Sequence, residues 1–400
     1  MRIGMLADVY KPVISGVTNY ISLNKEVLEQ LGHEVFVFTF GHEDYEDEEQ
    51  SIIRSPGLPI LDTGFYLSIR YTKKAYRLLK TMDVAHVHHP FVSGSLALRY
   101  LRPAGVPIVF TNHTRYDLYS QAYMPAMPDT FSTAALQAYL PSFCRSCDVV
   151  IAPSPGMKDV LRKLAVDTEI EVVPNGVDLM PFRKNVKPIE REYFGFTADD
   201  IVLNFTGRLG PEKNIPFLLR SFAGVAQAYD HIGLLIVGDG PERDNLEDRV
   251  NYMGIRDHVH FTGMVPYDQI PRYLAASDIF VTASVSEVHP LSVIEAMASG
   301  LPVIGIRSPG VGDIIVDGET GFLVISEELA SFTAKMIRMI VDHENRQRMG
   351  EKAREKSHLY AIERTTQMMI SQYQKAIGRA ANHKLRIGDR FRHWLDGFNL

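Results

Sequence analysis

Cysteine is nearly absent: Cys144 and Cys147 are the only two in 400 residues. Two thiols cannot build a disulfide framework, and a C-x-x-C alone falls short of the four ligands of a structural zinc site. A thioredoxin-like context is also missing, so the pair reads as reduced thiols at a helix end. No apolar run approaches the length of a membrane span. A basic excess is missing as well: 42 Lys and Arg against 48 Asp and Glu leave a net charge of -6. That balance argues against a general nucleic-acid binder. The N-terminus turns acidic at Asp8, too soon for a signal peptide, and reads as a first strand. A cytosolic protein is therefore expected. The glycine turn Gly238-Asp239-Gly240-Pro241 lacks the third glycine of a dinucleotide fingerprint and sits mid-domain, which argues against NAD.

What is present is enough apolar residue, 46% of the chain, for two well-packed α/β domains. Apolar strands over 3–7, 35–39, 84–88, 108–111, 149–152 and 171–173 alternate with helical patterns such as 18–31, 94–101 and 155–164. The rhythm restarts with strands over 201–206, 233–237, 258–262, 278–284, 302–306 and 322–324 and helices between them, and 329–376 is almost wholly helical in pattern. Two doubly wound, mostly parallel sheets are predicted. The expected organisation is a first domain over 1–180, a charged linker over 181–198, a second domain over 199–376 and a tail helix over 377–400. The acidic run 43–49 reads as solvated loop.

The chain is organised around residues 286–300, Ser-Glu-Val-His-Pro-Leu-Ser-Val-Ile-Glu-Ala-Met-Ala-Ser-Gly, which follow a buried strand. Pro290 suits the first turn of a helix and Gly300 its C-terminal cap. Glu287 then sits on the strand-to-helix loop and Glu295 inside the helix. A ligand across the helix start would meet free backbone N–H groups near Leu291 and Ser292. Two carboxylates for hydroxyls flanking an anion site suit a sugar nucleotide. The competing reading makes Ser292 and Glu295 a capping box.

Other strand ends carry chemistry too, since open parallel sheets bind ligands outside the carboxyl ends of their strands. The run from Thr206 through Gly207, Arg208 and Lys213 to Asn214 places two cations in one loop. An arginine can fork two phosphate oxygens and a lysine supplies a compact charge. In the first half, Ser15-Gly16 lies in the first βα loop, where one glycine permits close approach. His86, His88, His89 and His113 crowd two strand ends without an evident carboxylate or fourth ligand for a metal.

These motifs, in this order, resemble the retaining glycosyltransferases of family 4, with their E-x7-E signature at Glu287 and Glu295. The resemblance runs from Arg2 to about Ala376 and implies the GT-B fold, two Rossmann-like domains facing across a cleft. It implies a nucleotide-sugar donor, with no metal and no further cofactor. Arg208 and Lys213 correspond to the family's diphosphate contacts, Glu295 to the ribose contact, and Glu287 with His289, Pro290 and Leu291 to the hexose contacts. Gly207, Gly238 and Gly263 match turns beside the nucleotide, Ser292 the helix start, and His113 and Gly16 the opposite wall. The longer string from His113 through Tyr116 to Tyr119 looks most like bacterial diacylglycerol glucosyltransferases. Glucose from UDP-glucose to diacylglycerol is the implied reaction. A small soluble or phosphoinositol-type acceptor, with a UDP-sugar or GDP-mannose, is the alternative. A non-catalytic nucleotide-sugar-binding protein is a different class, against which the two glutamates and two cations together speak.

Two segments bear on a lipid acceptor. Residues 65–80 mix bulky apolar and basic side chains with no acid, and 384–395 do the same apart from Asp389. Either suits the inner face of an anionic membrane, and either can instead pack on its own domain. In GT-B proteins the final helix usually crosses back to the first domain.

Overall fold

The computed structural model describes residues 1–42, 45–47, 49–59, 66–116, 118, 138–183 and 185–396, the side chains of 383–396 excepted. Its apolar runs form two all-parallel sheets. The first contains β1 (Arg2–Leu6), β2 (Glu34–Gly41), β3 (Ile52–Pro56), β4 (Val84–Val87), β5 (Ile108–Thr111), β6 (Val149–Ala152) and β7 (Ile170–Val172). Their spatial order is β3-β2-β1-β4-β5-β6-β7. The second contains β8 (Ile201–Thr206), β9 (Ile232–Val237), β10 (Val259–Phe261), β11 (Ile279–Thr282), β12 (Val303–Ile306) and β13 (Gly321–Val324), in the order β10-β9-β8-β11-β12-β13. Both are doubly wound sheets of the GT-B type. β4, β5, β6, β9, β11, β12 and β13 are buried at every position, as strands covered by helices on both faces must be.

In each sheet the winding reverses once, between β1 and β4 and again between β8 and β11. Such a reversal opens a crevice at the carboxyl ends of the two strands. Gly16 follows β1, and His88 follows β4. The loop from Gly207 to Lys213 follows β8, and Glu287 follows β11. Topology therefore gathers the candidate residues at two crevices.

The final helix, Ile362–Asp396, runs unbroken through 376–377, where the sequence pattern had suggested a division. Met369, Tyr373 and Ala376 join the core of the first sheet, with Ile3, Met5, Tyr20 and Val109. The segment expected to be a linker is packed: Leu179, Phe182, Phe194 and Phe196 are buried in the core of the second domain.

Two readings need correcting. β3 is a strand the sequence did not suggest, because Ile52 and Ile53 are followed at once by Arg54 and the apolar run is too short to stand out. The acidic run is not merely solvated. Asp47 meets Arg54 at 2.6 Å with both side chains nearly buried, and Glu49 meets Lys25 at 2.6 Å, so these acids neutralise cations turned inward.

Candidate active site

Three glycine turns close the carboxyl end of the second sheet. Gly207 N–H donates to the Val237 carbonyl at 3.0 Å, and Gly238 N–H to that of Gly263 at 3.1 Å. A Cβ at Gly238 would stand 2.0 Å from the Gly207 carbonyl oxygen, and its φ of 135° suits glycine alone. The turns are thus packed backbone to backbone, leaving a low floor. Beyond Gly207 the chain carries Arg208, exposed, and enters the short turn Pro211–Lys213. The hydroxyls of Ser284 and Ser286 donate to the Glu212 carbonyl at 3.0 and 3.1 Å, which fixes this turn against the loop after β11.

That fixing brings two candidates together. Lys213 Nζ lies 2.5 Å from Glu287 Oε1, each side chain about one-fifth exposed (21% and 20%). The helix Leu291–Ser299 follows, with Pro290 as N-cap and Gly300 left-handed (φ 85°) as the C-terminal stop. No side chain caps its N-terminus, so Ser292 and Glu295 do not form the capping box considered above; Pro290, not Ser292, holds the cap position. Glu295, 5% exposed, accepts a hydrogen bond from the Tyr267 hydroxyl at 2.9 Å. Burial pushes its carboxyl up to about 7, and the Tyr267 hydroxyl works against that rise.

His289 is disposed differently from its neighbours. Its ring packs edge-on against Tyr360 at 5.1 Å, and its carbonyl accepts from Asn175 Nδ2 of the first half at 3.0 Å. Burial lowers its imidazole to about 3, so it is neutral. Val288 packs into the core of the first domain. The Glu287 loop is therefore held from both sides of the cleft.

On the first domain, Gly16 opens the helix Gly16–Gln30, whose N-terminus Ser15 and Thr18 close by a reciprocal capping box. Gly16 is exposed, with nothing near where a Cβ would be. Asp8 reaches the start of the helix Val92–Leu101 that follows β4, accepting from Ser93 N–H at 2.6 Å. His113 Nε2 and His88 Nδ1 are 3.0 Å apart, and Tyr20 lies across the His113 ring at 4.7 Å. His86 bonds Thr111 Oγ1 and the Tyr373 hydroxyl, each at 2.8 Å. Burial lowers the basicity of His86, His88 and His113, the last two helped by neighbouring imidazoles. Neutral imidazoles can donate and accept to sugar hydroxyls without a counter-ion. Tyr116 meets Phe91 edge-on at 5.0 Å; Tyr119 lies outside the described residues. Cys144 and Cys147 are free thiols that burial pushes up, Cys144 to about 12, and neither approaches these groups in any contact described.

Residues 66–80 divide their character. The helix Lys73–Leu79 turns Ala75 and Leu79 into the core and leaves Lys73, Lys74 and Arg77 outside. The exposed apolar side chains, Leu67 and Ile69, lie before it, with Leu58 on the ribbon strand paired to Tyr66–Leu67. No described helix is long and apolar enough to cross a membrane. Tyr267, Asn175 and the serines at 284 and 286 were not singled out by sequence. They act by fixing other groups, and polar residues in loops carry no periodic signal.

Residues 14–180 match the family described as Glycosyltransferase Family 4, and residues 186–356 match Glycosyl transferases group 1. The alpha-monoglucosyldiacylglycerol synthase of Streptococcus pneumoniae is 33% identical over 341 residues, covering 82% of this chain and 76% of that one. The enzyme of the same name from Acholeplasma laidlawii is 31% identical over 347 residues, covering 82% and 86%. In fold, Anabaena HepE, solved with UDP and glucose, superposes with a TM-score of 0.76 at 20% identity, covering 94% of this chain and 99% of that one.

Proposed function

The chain belongs to glycosyltransferase family 4, and from that premise we propose that it is a retaining, metal-independent transferase moving glucose from UDP-glucose to diacylglycerol. The single observation that carries the site reading is the loop pair after β8 and β11, which sets Lys213 against Glu287 beside Arg208. Breaking the bond between the sugar's anomeric carbon and the diphosphate leaves growing negative charge on phosphate. Arg208 and Lys213 stabilise that charge and hold the diphosphate. Lys213 exchanges part of its pairing with Glu287 for phosphate, which releases the Glu287 carboxylate to accept from hexose hydroxyls. The backbone of 289–291 completes the hexose contacts, Glu295 takes the ribose hydroxyls, and Gly207, Gly238 and Gly263 admit the nucleotide to the floor.

His113 and Gly16 close the site from the first domain, with Tyr116 toward the acceptor. The acceptor hydroxyl attacks the anomeric carbon on the face the diphosphate leaves, and its proton passes to the departing phosphate. No covalent nucleophile is required. Closure of the two domains assembles the site.

The acceptor assignment rests on the two named diacylglycerol relatives and on the surface of residues 58–59 and 66–80. There Leu58, Leu67 and Ile69 stand exposed beside Lys73, Lys74, Arg77 and Lys80. Exposed apolar side chains rimmed by cations suit an anionic lipid surface, with peripheral binding at the inner face of the membrane. The test is nucleoside diphosphate release from UDP-glucose, UDP-galactose and GDP-mannose, with and without diacylglycerol vesicles. Release from UDP-glucose that rises with vesicles and yields a glycolipid supports the assignment. Release indifferent to vesicles moves the acceptor to a soluble molecule, and release from none of these donors moves the donor to another nucleotide sugar before a binding-only role is considered.

A further inference from the structure

Glu295 is deeply buried, and its one described side-chain partner is Tyr267. Tyr267 opens the short turn Tyr267–Gln269, far from Glu295 in sequence, and no other part of the proposed site uses it. We propose that Tyr267 is a positioning residue for donor recognition: its hydroxyl fixes one oxygen of Glu295 so that the other faces the ribose diol. The inference rests on the reading of Glu295 as the ribose contact. A glutamate in a helix has three side-chain torsions, and a hydrogen bond to Oε1 removes the freedom that binding would otherwise have to remove. The Tyr267 ring is itself braced edge-on by Phe182 at 6.4 Å, from the buried segment that joins the two domains. The position of Glu295 is thereby tied to the connecting segment rather than to the helix alone.

The same contact has an electrostatic side. Burial disfavours the Glu295 carboxylate, while the Tyr267 hydroxyl, a donor to it, favours it. Burial first, then Glu295 and Asp178, keep the Tyr267 phenol protonated, as a donor must be. Removing the hydroxyl therefore raises the pH at which Glu295 ionises, and ribose binding that needs the carboxylate weakens first on the acid side.

The experiment is calorimetric binding of UDP and of GDP from pH 5.5 to 9 by the full chain, Tyr267→Phe and Glu295→Gln, following whichever nucleotide the parent binds more tightly. Tyr267→Phe is expected to bind about tenfold more weakly near neutrality. Its acid limb should move to higher pH, and turnover at saturating donor should be kept. Glu295→Gln is expected to lose the component of the acid limb that Tyr267→Phe moves, leaving the one set by the diphosphate's own ionisation at about pH 6. An unmoved acid limb in Tyr267→Phe, or a loss confined to turnover, overturns the positioning role. Parent-like binding by Glu295→Gln, or no binding of either nucleotide by the parent, overturns the ribose assignment and the inference with it. Loss of binding through misfolding is separated by the melting curve, which should stay within a few degrees of the parent in Tyr267→Phe.

Discussion

Lys213 and Glu287, proposed to meet the diphosphate and the hexose, are paired with each other in the structure. Their 2.5 Å pair is partly wet, so its net contribution to stability is small, about 1 kcal/mol or less. Against a diphosphate in a closed cleft the same ammonium faces a larger charge in drier surroundings. Lys213→Ala is thus expected to lower turnover by about 100-fold or more, while the melting temperature stays within a few degrees. Near-parental turnover in that variant would remove Lys213 from the diphosphate. At this scale the sequence located charge on strand-end loops, at Arg208, Lys213 and Glu287, and the structure places those residues on the loops after β8 and β11. The sequence was least informative for Tyr267 and Asn175, whose work is done through a partner distant in sequence. At His289 the motif pointed to a backbone contact with the hexose; the structure adds that its ring packs on Tyr360 and its carbonyl accepts from Asn175.

Besides the Asn175–His289 hydrogen bond, elements meet across the cleft at a helix start. The helix Pro155–Lys163 of the first domain offers its Gly156 N–H to Asp313 Oδ2 of the second at 2.8 Å. A carboxylate at a helix N-terminus is favoured by both the unpaired N–H groups and the helix dipole. A Cβ on Gly156 would stand 2.8 Å from that same oxygen and 2.9 Å from Pro309 Cα, and the latter is backbone that cannot turn aside. Gly310, beside it, packs against the Val288 carbonyl, so displacement there is felt at the Glu287 loop. Asp313→Ala and, more strongly, Gly156→Ala should part the domains. Small-angle scattering should record a larger radius of gyration and steady-state kinetics a higher donor KM; a parental radius and KM in Gly156→Ala would show that the contact does not govern closure. The final helix makes a second, buried link. Tyr373→Phe would leave a nitrogen of fully buried His86 without its partner, and should cost about 1–3 kcal/mol of stability in denaturant titration. Most strands of both sheets were legible because their apolar runs are continuous or broken by one polar residue. Where Arg54 cut the run short at β3, or a long helix crossed an expected boundary at 376, period and composition had nothing to report.

For the whole molecule, the buried imidazoles set the response to acid. His86, His88, His89, His113 and His289 all have their basicity lowered chiefly by burial, His86 and His289 to about 3. In the unfolded chain each recovers an ordinary value near 6.5. Between these limits the unfolded state binds more protons than the folded one, so stability falls as pH falls. Glu295 acts in the opposite sense: its carboxyl, raised to about 7, holds a proton that the unfolded chain would have released above 4.5, so its contribution is lost as pH rises through that interval. One carboxyl cannot offset several imidazoles. Each proton in the balance is worth about 1.4 kcal/mol per pH unit, so denaturation midpoints should fall steeply from pH 6.5 to 4.5. His289→Asn should make that fall shallower by about one proton, because an amide has nothing to titrate. A parental midpoint unchanged between pH 7 and 5 would mean that these imidazoles are reached by water and protonated in the folded state. That result would also bear on the site, since His113 is proposed to meet the donor as a neutral group, and a solvated, charged imidazole there would attract the diphosphate instead of its sugar.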